Sequence, residues 1–176
     1  MYVTEYKHCL ALQEDIDNLR QWADDWKLKL NVSKCSVVSY GRTISFNYDY
    51  SLSGTSLQRV DTIKDLRVIF DSKLKFNKHV DIKVNVAYQN LEIIRRTFIH
   101  LTPDCCILLY KCLVRSHIEY ANSVWNTQYI QNHKKIEKVQ MRATKLIHEL
   151  KGLPYRQRLE RLIQPPLKYR RIRGDD

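Results

Sequence analysis

Near the start of the chain, apolar residues recur at Leu10, Leu12, Ile16, Leu19, Ala23 and Trp26. Steps of three and four residues place such a series along one side of a helix. Residues 10–29 are therefore expected to form an amphipathic helix, with Glu14, Asp15, Asp17, Arg20 and Asp24 toward water. The pattern then shortens. Residues 35–40 are a β-favouring run, residues 48–52 and 56–60 flank Ser53-Gly54-Thr55 as hairpin arms flank a turn, and residues 66–70 form a fourth strand candidate. A small antiparallel sheet over residues 35–71 is the expectation. From Asn77 the helical period returns through Val80, Val84, Ala87, Tyr88, Leu91, Ile94 and Phe98. Thr102-Pro103-Asp104 carries three helix-start features: a capping hydroxyl, a proline at the first helical position and an acid at the positive end of the dipole. That helix is expected to reach Glu119 with Cys106, Leu109, Leu113 and His117 on one side. Asn132 is the next capping candidate, followed by Ile136, Val139, Ala143, Leu146, Ile147 and Leu150 facing inward and a stop at Gly152. Leu153-Pro154 opens a short helix, Pro165-Pro166 ends it, and a further helix begins at Leu167. The fold class implied is α+β, a helix with a small sheet over residues 1–76 and a helical bundle over residues 77–176.

Composition narrows the class. The chain has 176 residues, 44% of them apolar, enough for a core and too many for a disordered chain. The longest apolar run, from Cys105 to Tyr110, is far below the roughly 18 residues of a membrane span. Glu5, Lys7 and His8 occupy the place of a signal peptide's apolar stretch. Five cysteines without a Cys-x-x-Cys pair argue against a disulfide framework, so an intracellular protein is expected, its compartment open.

Charge adds a direction. Residues 1–90 hold 13 basic and 11 acidic side chains, whereas residues 91–176 hold 17 and 8. One helix face carries Lys134, Lys135, Lys138, Arg142 and Lys145. Farther on, Lys151, Arg156, Arg158, Arg161, Lys168, Arg170, Arg171 and Arg173 stand against the single acid Glu160. Clustered basic charge attracts polyanions, and in a chain without membrane segments RNA and DNA backbones are favoured over an anionic membrane surface or a merely solvated face. Tyr155 and Tyr169 are interleaved among these arginines, as stacking contacts or as ordinary core tyrosines.

Other chemistry is weakly encoded. Trp22-Ala23-Asp24-Asp25 looks like a polymerase metal motif, yet on a helix successive side chains diverge by about 100°, and a two-metal site needs converging carboxylates. His100, Cys105, Cys106, Cys112 and His117 lack zinc-ligand spacing. No metal site is expected, four scattered glycines make no phosphate loop, and a nucleophile paired with a distant histidine has nothing specific in its favour.

The ordered segments nevertheless resemble a known family. They are Leu12-Gln13-Glu14-Asp15, Trp22 to Cys35, Lys64 to Asp71, Leu74-Lys75-Phe76, His79, Ile94 to Phe98, Leu109 to Tyr120, Val124-Trp125, Ile136 to Lys145 and Leu167 to Asp175. Their order and spacing resemble the region after the catalytic Asp-Asp turn in reverse transcriptases of non-LTR retrotransposons of the LINE, Jockey/CR1-like kind. The resemblance implies a fragment: the end of the palm, then a helical thumb, with the fingers and catalytic turn upstream. Lys34 matches by position the palm lysine thought to protonate pyrophosphate. Lys64, Asp65, Leu66, Arg67 and Val68 match the primer grip, although Arg67 stands where glycine is usual. The resemblance implies magnesium for the full-length parent enzyme, no cofactor and no complete catalytic set in this chain, and RNA, DNA and the missing polymerase half as partners. The competing expectation is a non-enzymatic interaction module or an inert relic.

Overall fold

The computed structural model describes residues 3, 5–41, 47–98, 101–126 and 129–173, with side chains as far as Arg171. The chain is α+β, divided into two compact units, residues 1–74 and 75–176.

The first unit opens with α1, Tyr6–Asp25. It starts a turn before the apolar periodicity because Tyr6 packs edge-on against Tyr48 at 5.7 Å and Cys9 is buried. It stops four residues short of the expected end. Lys27 turns left-handed at φ 56°, and the amide of Leu28 donates to the carbonyl of Ala23 at 2.8 Å, a Schellman closure built without glycine. The following turn, Val32–Lys34, is 3₁₀.

Among the described residues, three two-stranded ladders replace the single antiparallel sheet expected over residues 35–71. β1 (Ser36–Val37) pairs in parallel with β4 (Gln58–Arg59), whereas β2 (Ser51–Leu52) pairs antiparallel with β3 (Thr55–Ser56), and β5 (Thr62–Asp65) with β6 (Val68–Asp71). The parallel pair joins strands about twenty residues apart in the chain, the separation that such a pairing needs. The last strand starts later than its apolar pattern: Leu66 and Arg67 form the turn of a two-residue hairpin, both left-handed at φ 42° and 65°. The core of the unit is small: Cys9, Ala23, Tyr50, Leu52 and Val68. Gln13 fastens helix to ladder, its amide donating to the Ser51 carbonyl at 3.0 Å while its oxygen accepts from the Ser51 N–H at 2.9 Å.

The second unit is built around α2, Asn77–Thr97, which buries Val80, Val84, Ala87, Leu91 and Ile94. On one side lies a long helix in three parts: α3 (Pro103–Leu109), a π-helical stretch (Tyr110–Arg115) and α4 (Ser116–Glu119). Thr102 caps it, accepting from the Cys105 N–H at 3.4 Å, as its sequence signature implied. The buried series is Cys106, Tyr110, Val114 and Ile118, not the expected Cys106, Leu109, Leu113 and His117. The wider π turns rotate the inward face by a residue. Asn90 from α2 donates to the Leu113 carbonyl of this stretch at 2.6 Å.

A short α5 (Asn122–Trp125) buries Trp125 against His79, ring centroids 5.2 Å apart. α6, Ile130–Ala143, also packs on α2. Asn132 does not cap it. It lies inside the helix, buried, donating to Asn77 at 2.7 Å. Nor does the helix run to Gly152: it yields to a turn at Thr144 and a 3₁₀ segment, His148–Leu150. Pro154 then precedes α7 (Tyr155–Arg161), and Pro165-Pro166 precede α8 (Leu167–Arg173).

Candidate nucleic-acid interface

The basic side chains of α6 and the segment after it converge on a groove of about 720 Å³ within the helical unit. Lys138, Arg142, Lys145, Lys151 and Arg158 line it, together with Tyr88, Tyr155, Met141 and Gly152-Leu153-Pro154, and no acidic side chain does. The convergence follows from the helix period. Lys138 and Arg142 are one turn apart on α6, Lys145 follows in the closing turn, and Gly152-Leu153-Pro154 bring the chain back alongside. Lys138, Lys145 and Lys151 are exposed and make no ion pair among the described residues. Such amines concentrate positive potential over a concave wall, where it attracts a phosphate chain most strongly.

Other members of the expected basic set are held elsewhere. Lys134, Arg161 and Lys168 are exposed outside the groove. Lys135 is ion-paired to Asp81, and Arg156 to Glu160 at 3.2 Å. Arg142 lines the groove while ion-paired to Glu92 and lying over the Tyr88 ring at 5.4 Å. Arg173 falls outside the described side chains.

Three arginines expected at the surface are structural. Arg158 is buried, donating to the Met141 carbonyl and the Thr144 hydroxyl, both at 2.9 Å, and burial lowers the pKa of its guanidinium. Arg171 is buried too, its Nε donating to the Leu167 carbonyl at 3.3 Å; burial lowers its pKa, while Glu137 and Glu119 work in the other direction. Arg170, partly buried, pairs with Glu119 at 2.9 Å, and Glu119 also accepts from Arg115 at 3.1 Å. Sequence reasoning treated all three as one basic run. Leu162, four residues after Arg158, and Leu167, four residues before Arg171, were the available sign that this run has an inner face.

Glu137 was missed altogether. It accepts from the Tyr155 hydroxyl through one oxygen and from the Lys168 N–H, at 3.1 Å, through the other. It thereby joins α6 to α7 and α8. Burial is the main reason the Tyr155 phenol is held far above its usual range, with the Glu137 contact second. A lone glutamate on a basic helix face was the only sequence signal.

The polymerase-like positions in the first unit are dispersed. Lys34 is exposed at the end of the 3₁₀ turn. Lys64, Asp65, Leu66 and Arg67 are exposed along the β5–β6 hairpin and its tip, while Val68 is buried. Asp24 and Asp25 lie on α1, and both are exposed. Asp24 pairs with Arg20 at 3.1 Å, and Asp25 accepts from Gln21 at 3.0 Å. Each carboxylate is bound to its own preceding turn, so the pair does not fit magnesium. Of the cysteine and histidine set, Cys106 is buried, with its thiol pushed up to about 11 by burial, and Cys112 is exposed; His100 lies outside the described residues.

Comparison with known proteins adds ancestry. The chain is 28% identical over 170 residues to the RNA-directed DNA polymerase from mobile element jockey of Drosophila funebris, covering 94% of this chain and 18% of the relative. It is 26% identical over 176 residues to the corresponding jockey polymerase of Drosophila melanogaster, covering 93% and 19%. The chain is related to reverse transcriptases. It spans about a fifth of the length of these relatives. No family model and no solved structure matches it. The relationship agrees with the family resemblance of the ordered segments from Leu12 to Asp175. No helix among the described residues of this reverse-transcriptase-related chain is long and apolar enough to cross a membrane.

Proposed function

We propose that the chain corresponds to the end of the palm and the thumb of a jockey-type reverse transcriptase, and that its helical unit holds RNA or DNA by the backbone. The groove carries this reading: five basic residues and two tyrosines line it, no acid is among the described lining residues, and of the five only Arg142 is ion-paired, to Glu92. Release of counterions from a phosphate chain is the dominant favourable term for such a surface. The ancestry supports the same partner, because the relatives are named as RNA-directed DNA polymerases. Polymerisation is not assigned to this chain. Asp24 and Asp25 form no metal site, so Lys34 has no nucleotide chemistry to assist here, and template-directed extension with magnesium and deoxynucleotides is expected to be absent. Other parts of a polymerase are the natural neighbours of the first unit, whose α1 exposes Leu19, Trp22 and Trp26.

An electrophoretic mobility titration tests the reading. The full chain should bind single-stranded RNA and DNA, with log affinity falling linearly against log salt by roughly 0.7 per neutralised phosphate. Absence of binding at low salt would favour the non-enzymatic interaction module or relic instead.

A further inference from the structure

Both tyrosines of the groove already carry a guanidinium over the ring. Tyr88 is half-buried with the Arg142 guanidinium over its ring at 5.4 Å. Tyr155 is half-buried with the Arg158 guanidinium over its ring at 5.5 Å, and its hydroxyl is committed to Glu137. Arg158 is in turn fixed by Met141 and Thr144, so its position over Tyr155 is set by the core. A base stacking on either ring would have to displace a guanidinium or draw the ring out of its packing. Arg142 is exposed in the groove, but its guanidinium is taken up by Glu92 and the Tyr88 ring, so the uncommitted groups facing a ligand are the amines of Lys138, Lys145 and Lys151, point charges with no planar face and no base-edge geometry.

From this arrangement we infer that the groove is a phosphate-chain clamp blind to bases, whose ligand class extends to linear polyphosphate that carries no base at all. This inference rests on the proposed nucleic-acid groove and specifies its chemistry. Aromatic platforms that bind single strands gain affinity from each stacked base. Here the rings instead stiffen the wall from which the lysines project, and affinity follows the charge of the ligand.

Fluorescence anisotropy competition on the full chain distinguishes the alternatives, with a labelled oligothymidylate as probe. The competitors are the unlabelled oligothymidylate, an oligomer of the same length made only of abasic sites, and an inorganic polyphosphate of matched charge. All three should compete within about threefold of one another, and Lys138→Gln/Lys145→Gln/Lys151→Gln should weaken all three by about tenfold or more at low salt. Tyr88→Leu should leave the ratio of oligothymidylate to abasic affinity unchanged. An abasic competitor weaker by tenfold or more, or a ratio that collapses in Tyr88→Leu, would overturn base-blindness while leaving the groove as the binding site. Binding unaffected by the triple substitution would instead overturn the proposed groove itself.

Discussion

Among the described residues, the first unit has a core of five buried hydrophobic side chains and ladders of two to four residues, while the second buries a continuous series along α2 and its neighbours. Charge divides the same way. Residues 1–74 hold ten basic and ten acidic side chains, and residues 75–176 hold twenty and nine, so the whole net charge of +11 belongs to the helical unit. The contrast teaches where to look for function. A neutral unit with short ladders and exposed Trp22 and Trp26 has the character of a surface covered by protein. A well-packed unit with all the excess charge has the character of one that meets a polyanion.

The difference in packing should be measurable as a difference in sensitivity. Trp125 is 1% exposed and Leu52 5%. Trp125→Ala should cost about 3 to 5 kcal/mol, whereas Leu52→Ala, in the smaller core of the first unit, should cost about 2 kcal/mol. Urea unfolding followed by far-ultraviolet circular dichroism checks both, and equal costs would erase the distinction.

Acid should act through the helical unit. Burial, with Lys83 adding to it, holds His79 at about 4 against an ordinary 6.5. The unfolded chain takes up that proton first, so the contribution is complete above about pH 6.5 and is lost as pH falls from there toward 4. The loss amounts to about 3 kcal/mol. His79→Phe should flatten stability across that window, and an unchanged pH profile in this variant would remove His79 from the account.

Much of this was legible in the sequence, for reasons that differ by element. The periodicity of α2 and the Thr102-Pro103 start carried through because helices record their packing in local spacing. The π-helical stretch did not, since the choice of Tyr110, Val114 and Ile118 over Leu109, Leu113 and His117 is made by packing on α2 and by Asn90. Asn132 was misread because a capping residue type also serves as a buried hydrogen-bonding partner. The ladders escaped because strand partners are set by distant residues, as Ser36 with Gln58. In the groove, the basic run from Lys134 to Lys145 announced Lys138, Arg142 and Lys145 by composition. Burial of Arg158 and Arg171 was hidden because charge counts carry no inward direction.

The smallest expected effect lies at the β5–β6 turn. Leu66 and Arg67 both occupy left-handed backbone, which disfavours side chains by roughly 1 to 2 kcal/mol each. Arg67→Gly relieves one of them, and the unfolded chain regains some freedom in exchange. A net stabilisation of about 1 kcal/mol in the first unit is expected, read from slower amide exchange across residues 62–71. Destabilisation would show that the Arg67 side chain holds the hairpin.

The division of labour between the units is tested most directly by salt titration of RNA binding with charge removed from each in turn. Lys27→Gln/Lys29→Gln/Lys73→Gln removes three exposed amines from the first unit, and Lys138→Gln/Lys145→Gln/Lys151→Gln removes three from the groove. The first variant should keep the wild-type affinity and salt slope, whereas the second should lower the slope by about 2 and the affinity by tenfold or more at low salt. Equal losses in both variants, or a loss confined to the first, would contradict the assignment of nucleic-acid binding to the helical unit.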